Sequence, residues 1–129
     1  MMVYMGAIAN GGKAIKPYII GSYNFLKKVT GGDSLGNYLS SGTAGKMKSM
    51  MKNDVKVTYG ESNFRGLDIY AKSGTAETGS GTPDAWFVGF IDDADHPYAF
   101  VVWVKNGGTG YKVAGPVAYK TLLALVQNN

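Results

Sequence analysis

The sequence predicts an α+β chain in which a three-stranded antiparallel β-meander packs against helices. Three observations carry this. Apolar residues cluster at the start, recur at helical spacing in the middle and again at the end of the 129 residues. Three further apolar stretches, 67–76, 85–91 and 98–104, have the length and composition of strands. The connectors between them, 77–84 and 92–97, are short and rich in Gly, Pro and Asp, which suits hairpins.

In chain order, residues 1–10 read as a helix stopped by Gly11-Gly12. Ala7-Ile8-Ala9 mimics a signal-peptidase site, but no Lys or Arg precedes it and the apolar run is too short for a secretory core. No stretch reaches the ~20 apolar residues of a membrane span. A helix at residue 1 without a capping residue suggests a chain that begins inside a larger domain. Residues 14–21 read as a short extended segment, which Pro17 confines to an edge. Residues 27–40 are polar and glycine-bearing, a surface loop. Ser40 or Ser41 then caps a helix with Ala44, Met47, Met51 and Val55 on its inner face.

In the second half, Leu67, Ile69 and Ala71 alternate with Asp68 and Tyr70. Residues 85–91 are apolar on both faces, as a central strand covered on both sides must be. Residues 98–104 are again continuously apolar. Pro116 is placed to open a last helix with Ala118, Leu122 and Leu125 facing inward.

Composition narrows the function classes. The chain is 45% hydrophobic and 17% charged, with 19 glycines and a formal net charge of +4, ordinary values for a globular domain. It carries no Lys/Arg run interleaved with aromatics, so no nucleic-acid partner is expected. The absence of cysteine removes disulfides, thiolate catalysis and zinc–thiolate sites. His96, the lone histidine, lies in a turn sequence without a second His to pair with on a metal. Neither a metal nor a cofactor is expected.

The chemistry concentrates in Ala71-Lys72-Ser73-Gly74-Thr75-Ala76-Glu77, followed by the apolar Trp86-Phe87-Val88-Gly89-Phe90. With the opening Gly6-Ala7-Ile8-Ala9-Asn10-Gly11-Gly12-Lys13, the Lys16-Pro17-Tyr18 and the closing Ala114-Gly115-Pro116-Val117, these elements stand in the order found in penicillin-binding proteins and cover nearly the whole chain. The chain resembles the C-terminal portion of that family's transpeptidase domain, a partial β-lactamase/transpeptidase-like fold.

The resemblance implies a serine D,D-transpeptidase that acylates a serine with a peptidoglycan stem peptide or a β-lactam. Such enzymes act at the extracytoplasmic face of the bacterial membrane, in cell-wall synthesis. The family needs a Ser-x-x-Lys, a Ser-x-Asn and a Lys-[Ser/Thr]-Gly motif. The third is carried over onto Lys72, Ser73 and Gly74, with Lys72 supplying positive potential. Ser73 and Thr75 share strand parity, so their hydroxyls can address a ligand carboxylate together. Gly74 leaves room for the ligand backbone, and the Thr75 amide would be one oxyanion donor. The strand itself would accept the peptide as an added strand.

The first two motifs have only look-alikes here. Ser49-Met50-Met51-Lys52 and Ser22-Tyr23-Asn24 satisfy the patterns literally, but in the reverse of the family's order and in scaffold segments. No nucleophile is therefore expected in this chain, and the missing upstream half of the domain would supply it. A second reading makes the chain a stand-alone, non-catalytic binding or assembly module derived from the family. In isolation the apolar edge 98–104 would template a homodimer.

Overall fold

The structure is a computed structural model that describes residues 1–17, 33–79 and 81–128. Helix α1 (Met2–Ala9) is followed by strand β1 (Lys13–Ile15), strand β2 (Ser34–Asn37) and helix α2 (Ser41–Asn53). A π-helical turn (Asp54–Gly60) and a 3₁₀ turn (Glu61–Phe64) lead to β3 (Ile69–Ala76), β4 (Asp84–Ile91), β5 (Ala99–Val104) and helix α3 (Gly110–Gln127). The chain is α+β, and the three-stranded sheet has the order β3-β4-β5 with both pairings antiparallel. A two-stranded sheet joins β1 to β2.

β4 is the central strand because both its faces are apolar. On one face Ala85, Phe87 and Ile91 pack with Ile69, Ala71 and Phe100, beneath Ala114, Ala118 and Leu122 of α3 and Val55, Tyr59 and Phe64 of the irregular turns. On the other, Val88 and Phe90 pack with Met5 and Ile8 of α1 and Met51 of α2. The sheet is thus the middle of three layers. Phe64 stacks on Phe87, with ring planes 6° apart and centroids 5.7 Å apart. Gly89 is required where β4 passes β3, since a Cβ there would run into the Tyr70 carbonyl oxygen.

Helix boundaries follow local chemistry. Ser40 caps α2, its Oγ accepting from the Thr43 amide at 3.1 Å. α1 stops where Gly11 and Gly12 turn to positive φ, 63° and 103°.

Three expectations are corrected. The polar segment before Ser40 holds a strand, Ser34–Asn37, which pairs with β1. All four of its residues are exposed, so it has no buried face and no alternation to betray it. Pro116 does not open α3. The helix starts six residues earlier at Gly110, and Pro116 sits inside it. Leu125 faces outward, 44% exposed. The inner stripe advances in steps of four from Ala114 through Ala118 and Leu122 to Val126, which packs against the core in its stead. Of the extended segment 14–21, β1 covers only its first residues. Positions 18–21, with Tyr18 and the Ser22-Tyr23-Asn24 pattern, lie outside the described residues.

No helix among the described residues is long and apolar enough to cross a membrane.

Candidate functional site

Among the described residues β3 pairs with β4 alone, and its residues alternate between the two layers. Ile69, Ala71, Ser73 and Thr75 share the side of α3, whereas Tyr70, Lys72 and Gly74 share the side of α1 and α2. The expected common parity of Ser73 and Thr75 follows from this register, where Ser73 opposes Phe87 and Thr75 opposes Ala85.

Lys72 is exposed and its ammonium sits among oxygens. Nζ lies 3.2 Å from the Ser73 carbonyl oxygen, 3.4 Å from the Tyr59 hydroxyl and 3.8 Å from Asp54 Oδ2. The Asp54 contact is a solvent-facing ion pair, with the Lys72 side chain 59% exposed, worth at most about 1 kcal/mol. It therefore orients the ammonium more than it holds it.

Ser73 is half-buried against Tyr59. The Ser73 amide donates to the Tyr59 hydroxyl at 2.8 Å, and that hydroxyl donates to Ser73 Oγ at 3.0 Å. The Ser73 N–H therefore points away from β4, toward the open side of β3. Strand alternation aims the Thr75 amide the same way. Thr75 Oγ1 in turn accepts from the Gly110 amide at 3.1 Å, the first residue of α3. Thr109 makes no side-chain cap of its own, so the Thr75 hydroxyl satisfies one of the helix's orphan donors.

Gly74 is not a packing necessity. A Cβ there would meet the Trp86 Cβ at 3.4 Å, an ordinary contact, and its φ is not in the left-handed region. What the missing side chain leaves is an open floor: Met1, Lys72, Ser73, Gly74, Trp86 and Val88 line a cavity of about 290 Å³. Cation, hydroxyl, bare glycine and edge amides thus converge on one stretch of strand beside an apolar hollow.

Sequence reasoning missed Asp54, Tyr59 and Gly110. Asp54 and Tyr59 reach β3 from the π-helical turn, five residues apart. On an α-helix that spacing leaves side chains ~140° apart, whereas the wider turn that goes with i→i+5 bonding narrows the angle between them. A signal existed: the steps of four through Met47, Met51 and Val55 arrive next at Tyr59. Gly110 is needed because a Cβ would run into the Gly74 carbonyl oxygen. α3 thereby rests its first turn directly on the backbone of the candidate site.

The look-alike pair is occupied elsewhere. Ser49 Oγ donates to the Gly45 carbonyl within its own helix at 3.1 Å, and Lys52 Nζ bonds Asp68 Oδ1 at 2.6 Å. His96 lies in the β4–β5 turn, its amide and that of Asp95 donating to Asp93 Oδ1, both at 2.9 Å. These amide bonds hold the Asp93 carboxyl below its usual pKa.

The family model "Penicillin binding protein transpeptidase domain" matches residues 1–123. Among curated proteins, the peptidoglycan D,D-transpeptidase PbpA of Mycobacterium tuberculosis is 29% identical over 133 aligned positions. That alignment takes in 93% of this chain and 27% of the relative, so the chain spans about a quarter of that protein's length. PbpA of Mycolicibacterium smegmatis matches with the same identity and coverage. Among solved structures, the imipenem acyl-enzyme complex of penicillin-binding protein A from M. tuberculosis superposes with a TM-score of 0.76 at 27% identity, covering 97% of this chain and 29% of that one. The D,D-transpeptidase domain of a peptidoglycan glycosyltransferase from Eggerthella lenta gives 0.73 at 27% identity, with 98% and 31% covered. A family match over all but the last few residues, joined to the same fold in solved relatives, establishes that this chain belongs to the penicillin-binding protein transpeptidase domain family.

Proposed function

We propose that residues 1–129 are the C-terminal portion of a peptidoglycan D,D-transpeptidase domain and supply the strand that holds the acyl donor. The observation that carries this is the open side of β3. Lys72, Ser73, Gly74 and Thr75 lie along it, with a glycine-floored hollow beside them. A stem peptide ending in a carboxylate, or a β-lactam, would lie along that strand as an added strand. The Thr75 amide would stabilise the oxyanion of the tetrahedral intermediate, a contribution of about 10²–10³ in rate for one such donor. Lys72 would supply positive potential, and the Ser73 and Thr75 hydroxyls would bind the carboxylate.

Acyl transfer also needs an activated serine, a role neither Ser49 nor Lys52 is placed to fill. We assign that role to residues upstream of this portion in the native domain, which by the nature of its substrate works at the extracytoplasmic face of the membrane. Residues 1–129 alone would be inactive, and their β5 edge would then pair with a second copy.

The test is incubation with a fluorescent penicillin and intact-mass analysis, on the native protein and on residues 1–129. The expected result is a covalent adduct in the native protein, at a serine of the Ser-x-x-Lys type, and none on residues 1–129. An adduct on Ser49 would overturn the dismissal of that pair. A native protein that takes up no penicillin would favour the non-catalytic module.

A further inference from the structure

The Tyr59 hydroxyl occupies an unusual position for a side chain with 2% exposure: it touches three atoms of the candidate ligand strand. A phenol has one proton and two lone pairs. Here the Ser73 amide and, at longer range, the Lys72 ammonium donate to its oxygen, while its proton goes to Ser73 Oγ. Every hydrogen-bonding capacity of the hydroxyl is used. One consequence falls on Ser73: with one lone pair of Oγ filled from inside, its proton is free to be donated to an anionic group on the open side. A second falls on the backbone: the Ser73 amide is engaged, so the next edge amide toward the end of the strand that an added strand can bond is that of Thr75.

The ring is held as firmly as the hydroxyl. It packs edge-on against Phe87, with centroids 5.3 Å apart, and lies 5.1 Å from the Tyr111 ring of α3. Gly60, with φ of 80°, turns the chain immediately after it. Asp54 Oδ2 lies 3.8 Å from the same Lys72 ammonium. The field of that cation polarises the hydroxyl chain toward an anionic ligand.

We propose that Tyr59 is a positioning residue for carboxylate recognition. It sets Ser73 as a hydrogen-bond donor, with the Lys72 charge behind it, and leaves the Thr75 amide as the next edge donor for an added strand. This rests on the reading of β3 as the ligand strand. The group recognised is a carboxylate flanking the scissile amide or lactam, and a neutral ester in its place loses the benefit.

The experiment compares a β-lactam bearing its free carboxylate with the methyl ester of the same compound, by competition against a fluorescent penicillin on the native protein. Wild type should favour the carboxylate. Tyr59→Phe keeps the ring and should cut that preference roughly tenfold, the size of one lost hydrogen bond to a charged group, with little change for the ester. Ser73→Ala should show a similar loss, and the double variant no further loss. Amide hydrogen exchange at Ser73 should quicken in Tyr59→Phe. Equal losses for acid and ester would mean that Tyr59 only supports the fold, and overturn the proposal. So would an unchanged preference in Tyr59→Phe with wild-type preference intact, leaving the ligand strand itself standing. A wild type indifferent to the carboxylate would remove the ligand-strand reading and this proposal together.

Discussion

The Trp103 indole donates to Asp84 Oδ2 at 2.9 Å, tying the penultimate residue of β5 to the first residue of β4. The other carboxylate oxygen accepts from the Asn106 amide at 2.8 Å. One aspartate therefore closes the open end of the β4–β5 pair, beside the loop that leads into α3. The backbone bond from Asn106, then the indole bond, then the charge of Lys105 hold the Asp84 carboxyl below its usual range.

The sign of the pH dependence follows. A carboxylate with a depressed folded-state pKa stabilises the fold above its unfolded value of about 3.9, and that stability is lost as pH falls through the folded value. The thermal midpoint of wild type should exceed that of Asp84→Asn by a constant margin at neutral pH. The margin should shrink progressively below about pH 4. Melting curves between pH 3 and pH 7 check this, and a margin that widens on acidification would contradict it.

Gly110 makes a second point of leverage. Because a Cβ there has the Gly74 and Trp86 carbonyl oxygens in its way, Gly110→Ala must lift the first turn of α3 off the sheet. Overpacking of this kind costs about 1–3 kcal/mol, and here it also breaks the bond to Thr75 Oγ1. Denaturant unfolding should show that loss, together with weaker penicillin uptake by the native protein. Gly79→Ala, in the open β3–β4 hairpin, serves as a control for backbone strain alone, since a Cβ there meets nothing but φ is 79°.

The β5 edge supports a prediction about residues 1–129 in isolation. Among the described residues β5 pairs with β4 alone, and Trp103 is 51% exposed. Light scattering over a concentration series should show dimer formation. Val102 packs inward against the core, so a charge there would unfold the sheet rather than probe its edge. Trp103→Lys places the charge outside the core, though it gives up the indole bond to Asp84, and should weaken the dimer. Asp84→Asn, which perturbs the same bond without charging the edge, should not. A monomer at all concentrations would set the proposal aside.

Much of this architecture was legible in the sequence, for identifiable reasons. Two-sided apolarity announces β4 because a central strand has no solvent face, and Gly/Pro/Asp connectors announce the two hairpins. The Lys72-Ser73-Gly74-Thr75 stretch, a weak signal alone, stands out through the apolar strand that follows it and the family resemblance of the motifs around it. What stayed hidden was non-local or lacked a side-chain signature. β2 is held by backbone bonds alone and is exposed throughout. The start of α3 is fixed by Thr75, thirty-five residues away. Tyr59 looks like one more core aromatic until the π-helical turn swings its hydroxyl onto β3.

The central claim, that β3 is the ligand strand, is tested most directly at Lys72. The measurement is the second-order rate of acylation of the native protein by a fluorescent penicillin, in wild type and in Lys72→Ala, with folding checked by circular dichroism. Lys72 is exposed and its ion pair with Asp54 is weak, so its loss leaves the fold intact. Loss of this electrostatic group should raise the barrier by about 2–4 kcal/mol and slow acylation on the order of 10²-fold. An unchanged rate in the folded variant would mean that Lys72 is a solvated strand lysine and that the ligand lies elsewhere.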